Sequence, residues 1–212
     1  MRDIPIFTSE YGVASLVLSQ IPFKKEAYIR IQDSRDPQKL LIEAARFCRC
    51  AGGEKVFFTG FYDHPYPPYS EIWTMRCMRS ELPDTDAALI PIQEHTVEDW
   101  RRIYNDRMYD VATASLINSQ QGKQLLISAD AYFVHRQSVL LGIGIASGEN
   151  IHALASVVPG AGRDVLLALN HALSGEMAIV EVASTNSAAL RLYKDLGFVP
   201  IRLAEKWYEL ID

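Results

Sequence analysis

Two stretches of this chain combine residue types that do chemistry. The first is Val158–Pro159–Gly160–Ala161–Gly162–Arg163, a glycine turn that runs into a helical pattern. The first turn of a helix leaves backbone N–H groups unpaired and carries the positive end of the dipole, so a glycine turn there is an anion site. Glycine lets an anion approach the backbone closely. The amides of Gly160, Ala161, Gly162 and Arg163 would hold it, and the Arg163 guanidinium would add a charge. A plain tight turn has the same sequence, and Gly-x-Gly alone does not choose between the two. The second stretch is Met177–Phe198. Met177–Ala183 has the Ile, Val and Ala run of a buried strand. Asn186 is placed to cap the helix that follows. Ala189, Leu192, Tyr193 and Leu196 recur at helical spacing, Gly197 supplies a left-handed stop, and Phe198 packs back on the last turn. Taken singly, Asn186 is a helix cap and Tyr193 a core aromatic.

The elements around these stretches follow from pattern. Gly12–Ile21, Glu26–Gln32, Lys55–Phe61, Glu71–Met78, Ala88–Ile92, Ile151–Val158 and Val199–Trp207 read as strands, and Tyr132–His135 with Val139–Ala146 as a hairpin turning at Arg136–Gln137. A helix opens at Ser34–Asp36 with Pro37 in its first turn, and Leu40, Leu41, Ala44, Phe47 and Cys48 form its apolar face. A second is capped by Thr96 and carries Val97, Trp100, Ile103, Tyr104, Met108 and Val111, with a break near Asn105–Asp106. A third carries Val165, Leu166, Leu169, Ala172 and Leu173 and closes at Ser174–Gly175. Gly142–Ile143–Gly144 lies inside a strand, where a bulge or close strand approach explains it better than a phosphate site. Tyr28–Thr59 and Ile151–Ala183 share an order of strand, Pro-containing turn, helix with Leu-Leu, Gly-Glu and strand, a faint internal repeat set against chance likeness of two βαβ units. Leu82–Asp86 is the best linker.

Composition narrows the function classes. The chain has 212 residues, 49% of them apolar, and a net charge of −5. The acidic balance argues against a general nucleic-acid binder. No apolar run is long enough for a membrane span, and MRDIPIFTSEYG lacks the apolar core of a signal peptide. Three cysteines, Cys48, Cys50 and Cys77, are too few and too uneven for a disulfide framework. The histidines show no metal-ligand spacing. The expectation is a cytoplasmic protein with reduced cysteines and no metal, with no nucleic-acid or membrane partner.

Taken as one connected string, Asn186, Ala188–Ala189, Leu192–Tyr193 and Leu196–Gly197–Phe198 resemble the second half of the GNAT N-acetyltransferase superfamily. The resemblance implies an α/β fold, a GNAT-like mixed central sheet flanked by helices, with an N-terminal half-GNAT-like extension. It divides the chain into residues 1–84, an N-terminal α/β half-domain, and 85–212, a GNAT acetyl-CoA-binding catalytic domain. The cosubstrate implied is acetyl-CoA. Its pyrophosphate would lie on the 160–163 turn, its pantetheine along Ser156–Val157–Val158, and Asn186 would bond the arm from across the gap. The family has Arg or Gln where this chain has Val157, so the loop departs from the pattern.

The reaction implied is direct acetyl transfer to a primary amine of a small molecule, amino acid or peptide. Tyr193 holds the position of the acid that protonates the leaving thiolate, as a phenol with a pKa near 10 can. A strand N–H near Val157 would serve the oxyanion. His152, Glu149 and Glu181 are candidate bases for the amine, and His152 suits the task best by its ordinary pKa near 6.5. The N-terminal part has no counterpart of Asn186 or Tyr193, and its Tyr66 and Tyr69 would wall the acceptor site. A homodimer is compatible with the sequence. The alternative function is a non-catalytic CoA-binding sensor or interaction module that retains the fold.

Overall fold

The computed structural model describes residues 4–60 and 67–211. They fall into two compact units, one running up to Glu71 and resuming from Glu205, the other spanning Ile72–Ala204. Most of the proline-rich Tyr62–Tyr69 loop, Tyr66 included, lies outside the described residues.

The first unit contains β1 (Ile6–Ser9), β2 (Gly12–Val17), α1 (Ile21–Lys24), β3 (Glu26–Ser34), α2 (Pro37–Cys50) and β4 (Lys55–Thr59). Strands β1, β2 and β3 pair antiparallel, and β3 and β4 pair parallel from Glu26↔Lys55 to Arg30↔Thr59. The long strand expected over Gly12–Ile21 stops at Val17, because Pro22 fixes φ and withdraws a donor, turning Ile21–Lys24 into a helical turn. Helix α2 starts as expected: Asp36 Oδ1 accepts from the Lys39 amide at 3.2 Å, with Pro37 in the first turn. Leu40, Leu41, Ala44 and Cys48 are buried against Ile29, Ile31, Val56 and Phe58. Phe47, expected on that face, is 48% exposed at its rim, 5.9 Å from the ring of Phe7.

The chain continues through β5 (Ser70–Met78), β6 (Ala88–Pro91), α3 (Val97–Met108), α4 (Ser119–Ser128), β7 (Ala131–Arg136), β8 (Val139–Ser147), β9 (Asn150–Ser156), α5 (Gly162–Asn170), β10 (Met177–Ala183), α6 (Ser187–Asp195) and β11 (Val199–Glu209). In the second unit the strand order is β11-β5-β10-β9-β8-β7-β6, and β9 with β10 is its parallel pair. Helices α5 and α6 cover one face, where Val165, Leu166, Leu169, Tyr193 and Phe198 bury with Met75, Val180 and Val182. The last residues of β11 belong to the first unit, within which Tyr208 and Glu209 pair with Phe58 and Phe57 of β4.

Several local readings shift. The hairpin turns at Gln137–Ser138, both with positive φ, one residue later than expected. Helix α3 runs unbroken through Asn105, whose side chain instead holds the backbone of Ile117 by two bonds of 2.9 Å. Thr96 does not cap the α3 amides, since its hydroxyl bonds Gln93. Helix α4 carries a capping box, Asn118 with Gln121, that marks it in the sequence. The Leu82–Asp86 stretch lies within the second unit. Leu82 and Ala87 enter its core, while Arg79 grips the α5 C-terminus through Asn170 and Gly175.

Gly142 and Gly144 are where α5 meets β8. A Cβ on Gly142 would overlap the Ala155 carbonyl oxygen and lie 2.6 Å from Val165 Cγ2, and one on Gly144 would lie 2.7 Å from Leu169 Cδ2. Close backbone approach, not phosphate, is the use of this Gly-x-Gly. Gly142→Ala is expected to lower stability by about 1–3 kcal/mol, the usual cost of overpacking. Thermal melts compared with wild type measure it, and an unchanged Tm would show that α5 can lift off at no cost.

Candidate functional site

The site begins with a parallel pair of strands that is only half made. Strands β9 and β10 are in register at Asn150↔Ile179 and Ile151↔Val180, and no further. Each keeps its other partner to the end: β9 pairs β8 up to Ser156, and β10 pairs β5 up to Ala183. The facing edges beyond Ile151 and Val180 therefore open into a slot. The separation starts at a bulge. Ile145 pairs with Ala153 and Ala146 with Ile151, which leaves His152 as an extra residue in β9. A bulge bends its strand and increases its twist, which turns β9 away from β10.

Backbone alternation decides what lines the slot. The Val157 amide donates to the Leu141 carbonyl at 2.8 Å, so Val157 turns its backbone groups toward β8, and Ala155 and Ala153 do the same. Leu154 and Ser156 then turn their N–H and C=O groups the other way, toward β10. By the same rule the Ile179 amide, bonded to the Glu149 carbonyl at 2.8 Å, puts Glu181 and Ala183 on the opposite wall. The strand donor expected near Val157 is therefore not the Val157 amide itself. The amides of Val157 and Val158 both point at Leu141, and the strand amides turned toward β10 with no ladder partner among the described residues are those of Leu154 and Ser156.

The glycine turn closes the end of β9. Gly160 has φ +83°, the left-handed conformation that favours glycine, and Gly162 is the first residue of α5. The Ala161 amide is already committed, donating to the Val158 carbonyl at 3.2 Å. The first-turn amides of Gly162, Arg163 and Asp164 have no carbonyl partner among the described residues. Arg163 is exposed and makes no ion pair among them. Asp164 is tied to Arg136 at 2.9 Å, and Arg136 in turn to Asp86 at 2.6 Å.

Asn186 caps α6: its Oδ1 accepts from the Ala189 amide at 3.1 Å, which leaves its Nδ2 to donate elsewhere. Tyr193 is 6% exposed with its ring 5.5 Å from Phe198, and burial pushes its phenol up to about 12. At neutral pH it is a proton donor.

The candidate bases separate. Glu149 accepts from the amides of Glu176 and Met177 at 3.2 and 3.1 Å, a structural clasp. His152 is exposed, with Nε2 3.1 Å from Ser147 Oγ. Ser147 pairs with Asn150 and Asn150 with Ile179, so His152 shares a face with Glu181, two residues past Ile179. Both flank the point where the slot opens, on the face turned away from α5.

The first unit repeats the topology without the slot. Strands β3 and β4 are parallel around α2, as β9 and β10 are around α5, but they stay paired through all five residues of β4. Glu26, Tyr28, Arg30, Phe57 and Trp207 line its face away from α2. There Tyr28 donates to Glu26 at 2.7 Å, and Arg30 pairs with Glu205 over the Trp207 ring. Tyr69 is 41% exposed, with its ring 4.8 Å from Phe57. Cys48, Cys50 and Cys77 are free thiols, and burial pushes Cys48 and Cys77 up to about 11. Among the described residues no group of three or more His, Cys, Asp or Glu could hold a metal ion, and no helix is long and apolar enough to cross a membrane.

No family model and no curated protein matches the sequence. Solved structures do match. A conserved protein of unknown function from Staphylococcus epidermidis is similar at TM-score 0.61 and 12% identity, over 99% of this chain and 94% of its own. A GCN5-related N-acetyltransferase from Sphaerobacter thermophilus is similar at TM-score 0.55 and 9% identity, over 93% of this chain and 76% of its own. At such identities the likeness is one of fold, and the fold is the GNAT fold that the Asn186–Phe198 string implies.

The burial of Tyr193 has a measurable sign. Below pH 10 the phenol is protonated in folded and unfolded chains alike. Between pH 10 and about 12 only the unfolded chain ionises, so this group removes stability at about 1.4 kcal/mol per pH unit. Denaturant unfolding of wild type against Tyr193→Phe isolates it from other tyrosines. The variant is expected to lose less stability across that window, and parallel curves would show the hydroxyl to be solvated.

Proposed function

We propose that this protein transfers an acetyl group from acetyl-CoA to a primary amine by direct attack. The observation that carries the reading is the half-made β9–β10 pair, with unpaired strand amides along it and an unpaired helix N-terminus at its end. An extended arm bearing amides suits such an edge, because it can bond there as an added strand does. A pyrophosphate suits the Gly162–Asp164 amides with Arg163 beside them. On this reading Ser156, Val157 and Val158 border the arm, with Leu154 and Ser156 supplying the bonds, and Asn186 offers Nδ2 from the other side.

The chemistry needs little more. The amine lone pair attacks the thioester carbonyl, and the C–N bond forms as charge gathers on oxygen. A strand amide of Leu154 or Ser156 stabilises that oxygen. The C–S bond then breaks, and the thiolate takes the Tyr193 proton. The nitrogen gives up one proton to His152, and its return to Tyr193 through solvent restores the resting protein. The acceptor is a small amine, an amino acid or a peptide amine. The first unit has no slot and is expected to bind no coenzyme.

Calorimetry with acetyl-CoA is expected to show one site per chain. Gly162→Asp puts an acid in the first turn, which favours the helix yet repels a pyrophosphate. It should weaken acetyl-CoA at least about 10-fold, as unscreened like charges do at close range. Unchanged affinity in a folded variant would remove the turn from the site. Tyr193→Phe should bind acetyl-CoA normally and turn over about 10²-fold more slowly, toward the lower end for a general acid because thiolate already leaves readily. Wild-type turnover under chemistry-limited conditions would take Tyr193 out of the mechanism. Binding without thiol release on any of a panel of amines would favour the non-catalytic sensor.

A further inference from the structure

The sheet face turned away from α5 carries charged groups that acetyl transfer itself does not use. Glu181 on β10 stands directly opposite Thr74 on β5. Thr74 is 5% exposed, and its hydroxyl accepts from Arg202 Nε at 3.2 Å. Arg202 Nη2 lies 4.0 Å from Glu181 Oε1. Arg76, two residues along β5 from Thr74, adds a second exposed cation on the same face. Glu181 is the first β10 residue past the point where β10 leaves β9, and His152 is the first such residue of β9.

This arrangement does not look built for stability. At 4.0 Å the ion pair is too long for a hydrogen bond, and both side chains are more than half exposed, so the pair contributes little to folding. What it fixes is orientation. The guanidinium is held through Nε by a buried hydroxyl. Its two terminal nitrogens make no hydrogen bond among the described residues, which leaves the fork that grips a carboxylate in bidentate fashion. A carboxylate stands beside it, next to the slot.

A guanidinium and a carboxylate side by side match a ligand whose carboxylate and ammonium are side by side. We infer that the acceptor is a free α-amino acid, its carboxylate on Arg202 and its ammonium on Glu181; the ammonium first loses one proton through His152 to solvent, and the neutral amine then attacks and gives up its second proton as in acetyl transfer above. The inference rests on the acetyl-transfer reading and narrows its acceptor. A simple amine has no carboxylate for Arg202, and the N-terminus of a peptide has none next to its amine.

The test uses the protein, acetyl-CoA, the twenty standard amino acids and the decarboxylated amine of each amino acid that reacts, with thiol release as the readout. The preferred amino acid is expected to exceed its decarboxylated amine by about 10- to 100-fold in kcat/KM, the range of a hydrogen bond to a charged group. Arg202→Gln should collapse that ratio toward one, mainly through the KM of the amino acid, and Arg202→Lys should restore part of it. Equal rates on amine and amino acid, or an unchanged ratio in Arg202→Gln, overturn the inference and leave acetyl transfer standing. Should acetyl-CoA bind without turnover, amino acids titrated into the CoA complex decide, and binding by none of them overturns it. Failure to bind acetyl-CoA overturns the acetyl-transfer reading and this inference with it.

Discussion

A parallel strand pair fixed at one end and released at the other is the constraint on which the second unit depends. The fixed end is anchored by backbone and by Glu149. That carboxylate takes the amides of Glu176 and Met177, while the Ser174 amide reaches the Gly148 carbonyl and the Ile179 amide the Glu149 carbonyl. The released end starts at His152. Between them, β8 and β5 hold the outer edges, so opening the slot costs no ladder bond that either outer neighbour provides. Helix α5 must then lie close enough over β8 to bring its N-terminus to the end of β9. Gly142 and Gly144 permit this by leaving room for Val165 and Leu169.

The two βαβ units show how little separates an open slot from ordinary sheet. Both have adjacent parallel strands joined by one helix, and both end the crossover on Gly-Glu before the returning strand. Helix α2 has 14 residues and α5 has 9. The bulge of β3 against β2, at Gln32, lies beyond the last pairing with β4, whereas the bulge of β9 falls where β10 departs, and the first pair stays closed along β4. Its outward face is filled with aromatic rings and an Arg30–Glu205 pair that satisfy one another.

Much of this was legible from residues whose effect is local. The Asn186 cap, the Gly197 stop and the return of Phe198 onto Tyr193 follow from spacing within one helix, and the structure has each of them. Of the two readings of Gly142–Ile143–Gly144, bulge or close approach, the structure has close approach, made by the Ala155 carbonyl and by Val165 and Leu169 of α5. What could not be read depends on partners far along the chain. Whether the Val157 amide faces the slot is fixed by Leu141 and by a bulge one residue long, and no pattern in Ile151–Val158 alone encodes it. Glu149 has the composition of a base but serves as a clasp, because its partners lie at 176 and 177. Helix α4 is a different matter. Its Asn118–Gln121 box stood in the sequence, but four successive polar or small residues, Ser119–Gly122, blur the apolar period behind it.

The alternation of backbone groups along β9 also bears on inheritance. Leu154 and Ser156 face the slot through N–H and C=O groups that every residue except proline possesses in full. A site built this way records almost nothing of itself in side chains. Drift can replace nearly every residue along such a strand, provided the extra residue at the bulge and the glycines beneath α5 survive. The same fold can therefore recur in chains that share only 12% of their residues. Likeness of fold in such a chain shows in where its strands part rather than in the letters that spell them.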